Sequence, residues 1–352
     1  MILKRSYFDA NTPHQNTIFS ISFFKNEVRY FYEVELNHKA IVKEELFQYK
    51  SKTKKDSIFI RNTDVVKQLS EINFSSKKDK GLERAIKSNT LWNNTVFGGF
   101  LKTNVESDVL SNIVSWFANN LMDLIYTKTD LDGFVNNQID ESEIDKKDIV
   151  NILKKADFNI SGLELRKADA KMSDKFFEFV KIVDKDISDE MLDNMKESRY
   201  TSFKLSFEHT VDNAKYLLPI ELESQGTQRY YGFAGILSLM IRKSIVVSID
   251  ELESSLHPDL FNHFLLSFLM NSKESQLIAT THNREVLNNK DIFRNDAIWI
   301  TDKSQNSATH LYSIADFDSS VIRDSSNILN AYKVGKLGGV PNLGDYYINL
   351  DA

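Results

Sequence analysis

The run Ser244-Ile245-Val246-Val247-Ser248-Ile249 is almost wholly apolar or β-branched, and it ends in the adjacent carboxylates Asp250 and Glu251. In parallel α/β sheets, ligands bind beyond the carboxyl ends of the strands, so acids at such a tip face the ligand crevice. Two acids there suit phosphoryl transfer. The first, Asp250, can hold Mg2+, usually through water, and the second, Glu251, can orient or deprotonate an attacking water. Taken alone, the same run also reads as a strand entering a charged surface turn. It continues as Leu252-Glu253-Ser254-Ser255-Leu256-His257-Pro258, with Pro258 suited to the first turn of a helix, where its missing N–H costs nothing. Next comes Gln276-Leu277-Ile278-Ala279-Thr280-Thr281-His282-Asn283, which puts a histidine at the tip of the following strand. A neutral imidazole at His282 can hydrogen-bond a γ-phosphate and help place the water. By itself it also reads as a structural loop histidine. Upstream, Glu223-Ser224-Gln225-Gly226-Thr227-Gln228-Arg229 opens a helix. Free N–H groups and the positive dipole end there can receive an anion. The plainer reading is a helix cap, with Ser224 or Thr227 as N-cap and Gly226 as a turn residue.

These residues need a sheet to position them. Ser244–Ile249 has the composition of a strand buried on both faces of a parallel sheet. Helices are expected over 228–242 and from Pro258 to about Met270, and further strands over 276–281 and 297–301. Alternating strands and helices at this spacing predict an α/β sheet with crossover helices. Phe203–Phe207 reads as a strand. Earlier, Val28, Tyr30, Tyr32, Val34 and Leu36 alternate with Arg29, Glu33 and Glu35, the period of a half-buried strand. Residues 17–61 therefore read as antiparallel strands, with turns at Lys25-Asn26 and Asn37-His38. From about 80 to 200 the pattern is mostly helical. Val109, Ile113, Trp116, Phe117, Leu121 and Leu124 fall on one helix face. Residues 143–155 and 174–183 read as further helices, with Phe176, Phe177 and Phe179 as packing residues, and Asp130–Glu143 reads as a polar loop. The expected organisation is an antiparallel β part over 1–80, a helical arm over 81–200 and the α/β lobe over 201–352.

Composition sets outer limits. The chain has 352 residues, 41% hydrophobic and 27% charged, with only 4 Pro and 12 Gly, so a packed globular protein of one large or two ordinary domains is expected. It has no cysteine, which excludes a disulfide framework, a thiol nucleophile and Cys-ligated zinc, and fits a reducing cytoplasm. No run approaches the roughly 18 apolar residues of a membrane span, and the start has no signal-peptide core. The net charge of −6 gives no overall case for nucleic-acid binding, though a local basic patch stays possible. The densest basic runs, Lys50–Lys55 and Lys77–Lys80, read as solvated loops.

The order of the motifs says more than any one of them. A Ser-Gly helix start, an apolar strand with Asp-Glu, a Leu-His-Pro turn and a Thr-His strand end resemble the second lobe of ATP-binding-cassette ATPases: signature motif, Walker B, D-loop and switch histidine. Within that class the chain resembles the OLD-like, abortive-infection ATP-binding proteins of bacteria, the AbiLi and RloA type of AAA protein. The resemblance lies in Glu223–Arg229, Asp250–Pro258, Gln276–His282, Arg294–Trp299 and the tail Tyr332–Pro341, and it is fainter over residues 12–200. It implies that Asp250 anchors Mg2+, that Glu251 is the catalytic base and that His282 is the γ-phosphate switch. It also implies that Ser224, Gly226 and Thr227 contact the γ-phosphate of an ATP held by another protomer, and hence a dimer. A separately encoded Toprim-like nuclease is a common effector in such systems.

These ATPases start with a strand, the loop G-x-x-x-x-G-K-[ST] (Walker A) and a helix, and no such match occurs in the 352 residues. Phe97-Gly98-Gly99-Phe100-Leu101-Lys102-Thr103 has the wrong spacing and reads as a helix-breaking packing turn. Gly335-Lys336-Leu337-Gly338-Gly339 is out of order. A truncated or split ATPase and a pseudo-ATPase that lends its signature face to a complete partner both remain open. The expected function is thus an ATP-driven dimerisation switch in anti-phage defence, or a non-catalytic scaffold or regulator of an effector nuclease. A third reading, a metal-dependent nuclease built on Asp250, Glu251, Glu253 and His257, leaves the Ser-Gly and Thr-His elements unexplained.

Overall fold

The computed structural model describes residues 15–51, 54–75, 80–170, 188, 200–288, 292–304, 307–318, 328–341 and 343–344. The helix expected over 174–183, with its three phenylalanines, lies outside them. The chain is a mixed α/β protein that divides into two compact units, residues 1–120 with 284–352, and residues 121–283.

The first unit opens with an antiparallel meander: β1 (Thr17–Lys25), β2 (Val28–Leu36), β3 (Ile41–Tyr49), β4 (Lys55–Asp64) and β5 (Leu69–Phe74), paired in chain order. Asn26 and Glu27 both have positive φ, as the tight β1–β2 hairpin demands. Alternation along β2 buries Tyr30 and Tyr32, as the sequence predicts. They join Phe23, Phe97, Trp116 and Phe117 in an aromatic core between the sheet and the helices α1 (Lys80–Asn89), α2 (Val96–Phe100) and α3 (Asp108–Asn119). Under this sheet lies one fully buried ion pair. Glu44 accepts from Arg61 at 3.2 Å, from the Tyr32 hydroxyl at 2.9 Å and from the Val96 N–H at 2.9 Å. Arg61 also donates to the carbonyls of Leu91 and Asn94. The pair therefore fastens the 91–96 turn to the strands. Burial pushes the Glu44 carboxyl upward, against the pull of the Val96 N–H, Tyr32 and Arg61. The Phe97–Thr103 segment is a packing element, as expected, but Val96–Phe100 forms a short helix. A Cβ on Gly99 would fall 1.9 Å from the Thr90 hydroxyl.

Two expectations fail at the end of α3. The helix stops at Asn119, and Leu121 and Leu124 do not share its buried face; Leu124 is 43% exposed. Residues 121–125 instead run parallel to a strand of the second unit. The polar stretch from Asp130 is a helix, α4 (Leu131–Asp140), not a loop. Asp130 caps it through the Gly133 N–H, and Leu131, Val135 and Ile139 recur at every fourth residue on its buried face. Helix α5 (Lys146–Lys155) follows as expected. Strands β6 (Gly162–Ala170), β7 (Tyr200–Val211) and β8 (Ala214–Pro219) then make an antiparallel sheet, which absorbs the Phe203–Phe207 strand.

The spine of the second unit is α6 (Gln225–Arg242), buried from Tyr230 to Met240 without interruption. Beside it come β9 (Val246–Ile249), α7 (Pro258–Asn271) and β10 (Gln276–Ala279). Strands β9 and β10 pair in parallel, the predicted strand-helix-strand unit. On the other side of β9, Leu121 and Ile125 make parallel bridges, and Asp250 N–H donates to the Ile125 carbonyl at 2.8 Å. Strand β9 is not buried on both faces. Val247 and Ile249 are buried, while Val246 and Ser248 are half-buried.

In residues 284–344, β11 (Trp299–Lys303) is a second correction to the predicted parallel sheet. It pairs antiparallel with β12 (Thr309–Ser313) in a separate ribbon. With α8 (Ile328–Lys333) that ribbon encloses a small core of Leu287, Ile300, Ile314, Ile328, Leu329 and Leu337. Gly335, Gly338 and Gly339 have positive φ in the turn after α8, and Gly339 N–H is held by Asp302 at 3.1 Å. This glycine run is a chain reversal and not a phosphate loop. Among the described residues, no helix is long and apolar enough to cross a membrane.

The close contact of α6 with α4 leaves no space for extra atoms. A Cβ on Gly232 would meet Leu131 Cβ at 2.4 Å, and one on Gly235 would meet Val135 Cγ2 at 2.3 Å. Alanine favours a helix over glycine by about 1 kcal/mol, but overpacking costs about 1–3 kcal/mol. Gly232→Ala and Gly235→Ala are therefore each expected to lower stability in urea denaturation. Burial, and then the neighbouring Asp130, push the Asp132 carboxyl up to about 6 from 3.8, against Arg229. The folded chain holds this proton more tightly than the unfolded chain, so stability falls as pH rises between those values. Asp132→Asn should raise the melting temperature at pH 7.5, by about 2–4 °C, and leave it unchanged near pH 4 in scanning calorimetry.

Candidate functional site

The parallel pairing of β9 and β10 brings their carboxyl ends side by side. Asp250 and Glu251 leave β9 as Thr280 and His282 leave β10. Thr280 ties the two ends together. Its hydroxyl donates to Asp250 Oδ1 at 2.6 Å and accepts the Glu251 N–H at 2.9 Å. Its carbonyl accepts the Leu252 N–H at 3.1 Å, and its own N–H donates to the Ile249 carbonyl at 3.0 Å. One threonine thus orients the first acid and fixes the backbone of the second.

That backbone is unusual. Glu251 has φ +50°, in the left-handed region that non-glycine residues avoid. Such a conformation persists only where its surroundings over-determine it, and the Thr280 contacts do so here. The turn continues with Ser254 N–H to the Glu251 carbonyl at 2.9 Å and Leu256 N–H to the Glu253 carbonyl at 2.9 Å. It ends where His257 caps α7 by accepting the Asp259 N–H at 3.3 Å, with Pro258 in the first helical turn.

His282 enters from the other strand. Its Nε2 lies 3.7 Å from Glu251 Oε1, too far for a direct hydrogen bond but close enough for both to reach one water. Both side chains are open to solvent, at 86% and 46% exposure, so a ligand can reach them. Glu253 holds the histidine's backbone, its Oε1 accepting the His282 N–H at 2.6 Å. Its Oε2 is buried with no partner among the described residues.

The start of α6 supplies a second group. Ser224 is the N-cap. Its Oγ accepts the Thr227 N–H at 3.1 Å and shares a hydrogen bond with the Thr227 hydroxyl at 2.8 Å. The cap reading made from the sequence therefore holds for Ser224, but Gly226 lies inside the helix and is not a turn residue. Gly226 allows a close approach, since a Cβ there would stand 3.2 Å from the Ser255 carbonyl. The turn after the acids thus packs directly on the start of α6. Glu223 is held by His209 at 2.7 Å. Arg229 is half-buried over the Phe233 ring at 4.7 Å and donates to the Tyr126 carbonyl at 3.3 Å.

Asp250, Glu251 and His282 are therefore close together, and Ser224, Gly226 and Thr227 sit at the helix start against the same turn. Thr280 lies in the Gln276–His282 motif, and nothing in the sequence alone assigns it a role. Its signal was a hydroxyl residue at the strand end next to an acidic one. Among the described residues, no three His, Asp or Glu side chains converge as a metal cage. Asp250, Glu251, Glu253 and His257 are not gathered into such a group.

Residues 3–288 match the family described as "AAA domain, putative AbiEii toxin, Type IV TA system". The chain belongs to this AAA-domain family. No curated protein matches it. Among solved structures, an SMC head domain from Thermotoga maritima matches at 12% identity and a TM-score of 0.32, covering 81% of this chain and 74% of its own. A second, an SmcHead bound to the C-winged helix domain of ScpA, matches at 11% identity and a TM-score of 0.36, covering 78% and 75%.

Thr280→Val should remove the tie between the strand ends. Because Thr280 is exposed, the expected stability loss is under about 1 kcal/mol. Hydrogen–deuterium exchange at the Glu251 amide should nonetheless rise several-fold, and an unchanged rate would show that the backbone of Glu251 is held by something else.

Proposed function

We propose that the chain is the ATP-handling part of an ABC-class switch of the OLD-like, abortive-infection type, driven between monomer and dimer by nucleotide. The observation that carries this reading is the convergence of Asp250, Glu251, Thr280 and His282 at the ends of two adjacent parallel strands. In this reading Asp250 holds Mg2+. Its Oδ1 is oriented by Thr280, and its second oxygen takes no hydrogen bond among the described residues. One carboxylate without a protein cage fits Mg2+, which keeps waters and shares phosphate oxygens. When bound, the ion neutralises charge on the phosphates. Glu251 is the base that takes the proton of the attacking water, and His282 contacts the γ-phosphate and helps place that water.

Ser224, Gly226 and Thr227 meet the γ-phosphate of an ATP carried by a second protomer. The N–H groups of Gln225 and Gly226, at the positive end of an 18-residue helix, are available to such an anion. The partner is a second copy or an ATPase that supplies a Walker A loop. A Toprim-like nuclease is the proposed effector, and the cytoplasm the proposed location. The AbiEii-type toxin in the family's description supports the abortive-infection part of this reading. The second reading is a pseudo-ATPase scaffold or regulator of an effector nuclease. The 352 residues contain no G-x-x-x-x-G-K-[ST], which favours it for this chain taken alone.

Calorimetry with Mg-ATP should give a dissociation constant for this chain weaker than about 100 μM. Micromolar binding would point to a phosphate site elsewhere in the sequence. On a chain completed with a phosphate-loop segment, Glu251→Gln should keep ATP binding and accumulate an ATP-dependent dimer in light scattering. Hydrolysis should fall by about 100-fold or more. Hydrolysis at the parent's rate would remove Glu251 from the role of base.

A further inference from the structure

The second unit carries a groove of about 750 Å³ that the nucleotide reading does not use. It is walled by three helices, α5, α6 and α7. Its apolar lining includes Ile152, Leu237, Ile241, Leu266 and Met270. Several of these are open to solvent: Met270 is 81% exposed, Leu266 41% and Ile241 39%. Large apolar side chains gathered along one groove mark a binding surface, whereas the same residues scattered singly would not.

The charges around the groove state what kind of partner fits. Of the four lysines of helix α5, Lys155 lines the groove, and so does the helix's one acid, Asp148. That acid, Asp148, is already engaged by Arg242 and by the Ser238 hydroxyl. The Lys155 ammonium lines the groove and takes no hydrogen bond or ion pair among the described residues. It faces His263, whose imidazole is held below its ordinary value by burial and then by the Lys155 charge. His263 is in turn fixed by the Tyr230 hydroxyl at 2.7 Å. The groove thus combines an apolar floor with one uncompensated ammonium, that of Lys155, on its α5 wall.

We propose that this groove is a docking site for an acidic amphipathic helix of a partner protein. Apolar side chains of the partner at i, i+3 or i+4, and i+7 would fill the floor between α6 and α7, and a carboxylate at its edge would pair with Lys155. Helix α7, with 14 residues, offers a wall about 21 Å long, enough for such a set of anchors. A nucleic acid would use Lys155 but leave the apolar floor exposed, so the floor decides between the two. The same α6 that lines the groove with Leu237 and Ile241 begins at Ser224, so an occupant touches the helix that opens the candidate site. The docking itself does not depend on the ATPase reading.

The test is selection from a displayed library of 18-residue helices with three fixed leucines and a randomised polar face. Whole wild-type chain is the target and the Met270→Glu chain the decoy. Met270 is exposed, so the decoy keeps its fold, which circular dichroism verifies. Enriched helices should be rich in Asp and Glu. Synthesised and labelled, they should bind in fluorescence anisotropy and lose tenfold or more against Met270→Glu. They should also lose affinity for Lys155→Glu, while the same peptides with Lys in place of Glu regain it there. No enrichment over the decoy, enrichment of basic faces, or a Lys155→Glu chain that binds the acidic peptides unchanged would overturn the proposal. So would oligonucleotide binding that needs Lys155 and ignores Met270. Because every arm reads peptide or oligonucleotide binding without ATP, its failure stays separate from failure of the nucleotide reading.

Discussion

The second unit depends on how closely α6 can lie against α4. Gly232 and Gly235 present bare backbone where Leu131 and Val135 press in, and neither position has room for a single added carbon. Proteins do not pack by deforming continuously; a helix displaced by a methyl group takes its whole length with it. Here that length begins at Ser224 and ends at Arg242, so the contact made in the middle sets where the helix start stands relative to the turn after β9. Tyr231, buried on the same helix, adds a hydrogen bond to Asn136 of α4 at 2.7 Å. The glycines provide closeness, and the tyrosine restricts sliding.

On that frame, the candidate site is held by small polar contacts. Asp250, Glu251 and His282 are all solvent-accessible, and their order comes from backbone and from neighbours. Thr280 governs the acids and Glu253 governs the histidine, so each strand end is secured by a side chain from the other. The cost is a left-handed Glu251 and a buried Glu253 oxygen without a partner among the described residues. Both are local departures from the lowest-energy arrangement, and both lie next to residues that the proposed chemistry needs, as is common where function and stability compete.

Much of this was legible in the sequence. The alternation in β2, the apolar run of β9 and the strand-helix-strand order to β10 carry strong periodic signals that packing did not override. Helix α4 is hidden because its polar residues, Asp132, Asn137, Gln138 and Asp140, dominate its composition, and only the fourfold spacing of three apolar residues betrays it. The error at Leu121 had the opposite cause. Helical spacing happened to continue past Asn120, and periodicity by itself carries no stop signal. The expected strand over residues 297–301 follows β10 in chain order and so reads as the next strand of the parallel sheet, and only the pairing of β11 with β12 reveals the antiparallel ribbon. At the site, the acids and the histidine were readable as types at strand ends, whereas the Thr280 tie required knowing which oxygen faces which amide.

The ion pair beneath the first sheet has a consequence for how sequences of this fold can drift. Arg61 alone, without Glu44, would be a fully buried cation; Glu44 alone would be a buried anion that still accepts from Val96 and Tyr32. Removing one member of such a pair typically costs about 3–5 kcal/mol, while exchanging both for apolar residues of similar bulk is close to neutral. Single-step mutation therefore meets a valley between two tolerable states. The Glu44 and Arg61 positions are expected to vary together across relatives or not at all, and the turn at residues 91–96, whose carbonyls and N–H they satisfy, is bound to the same history.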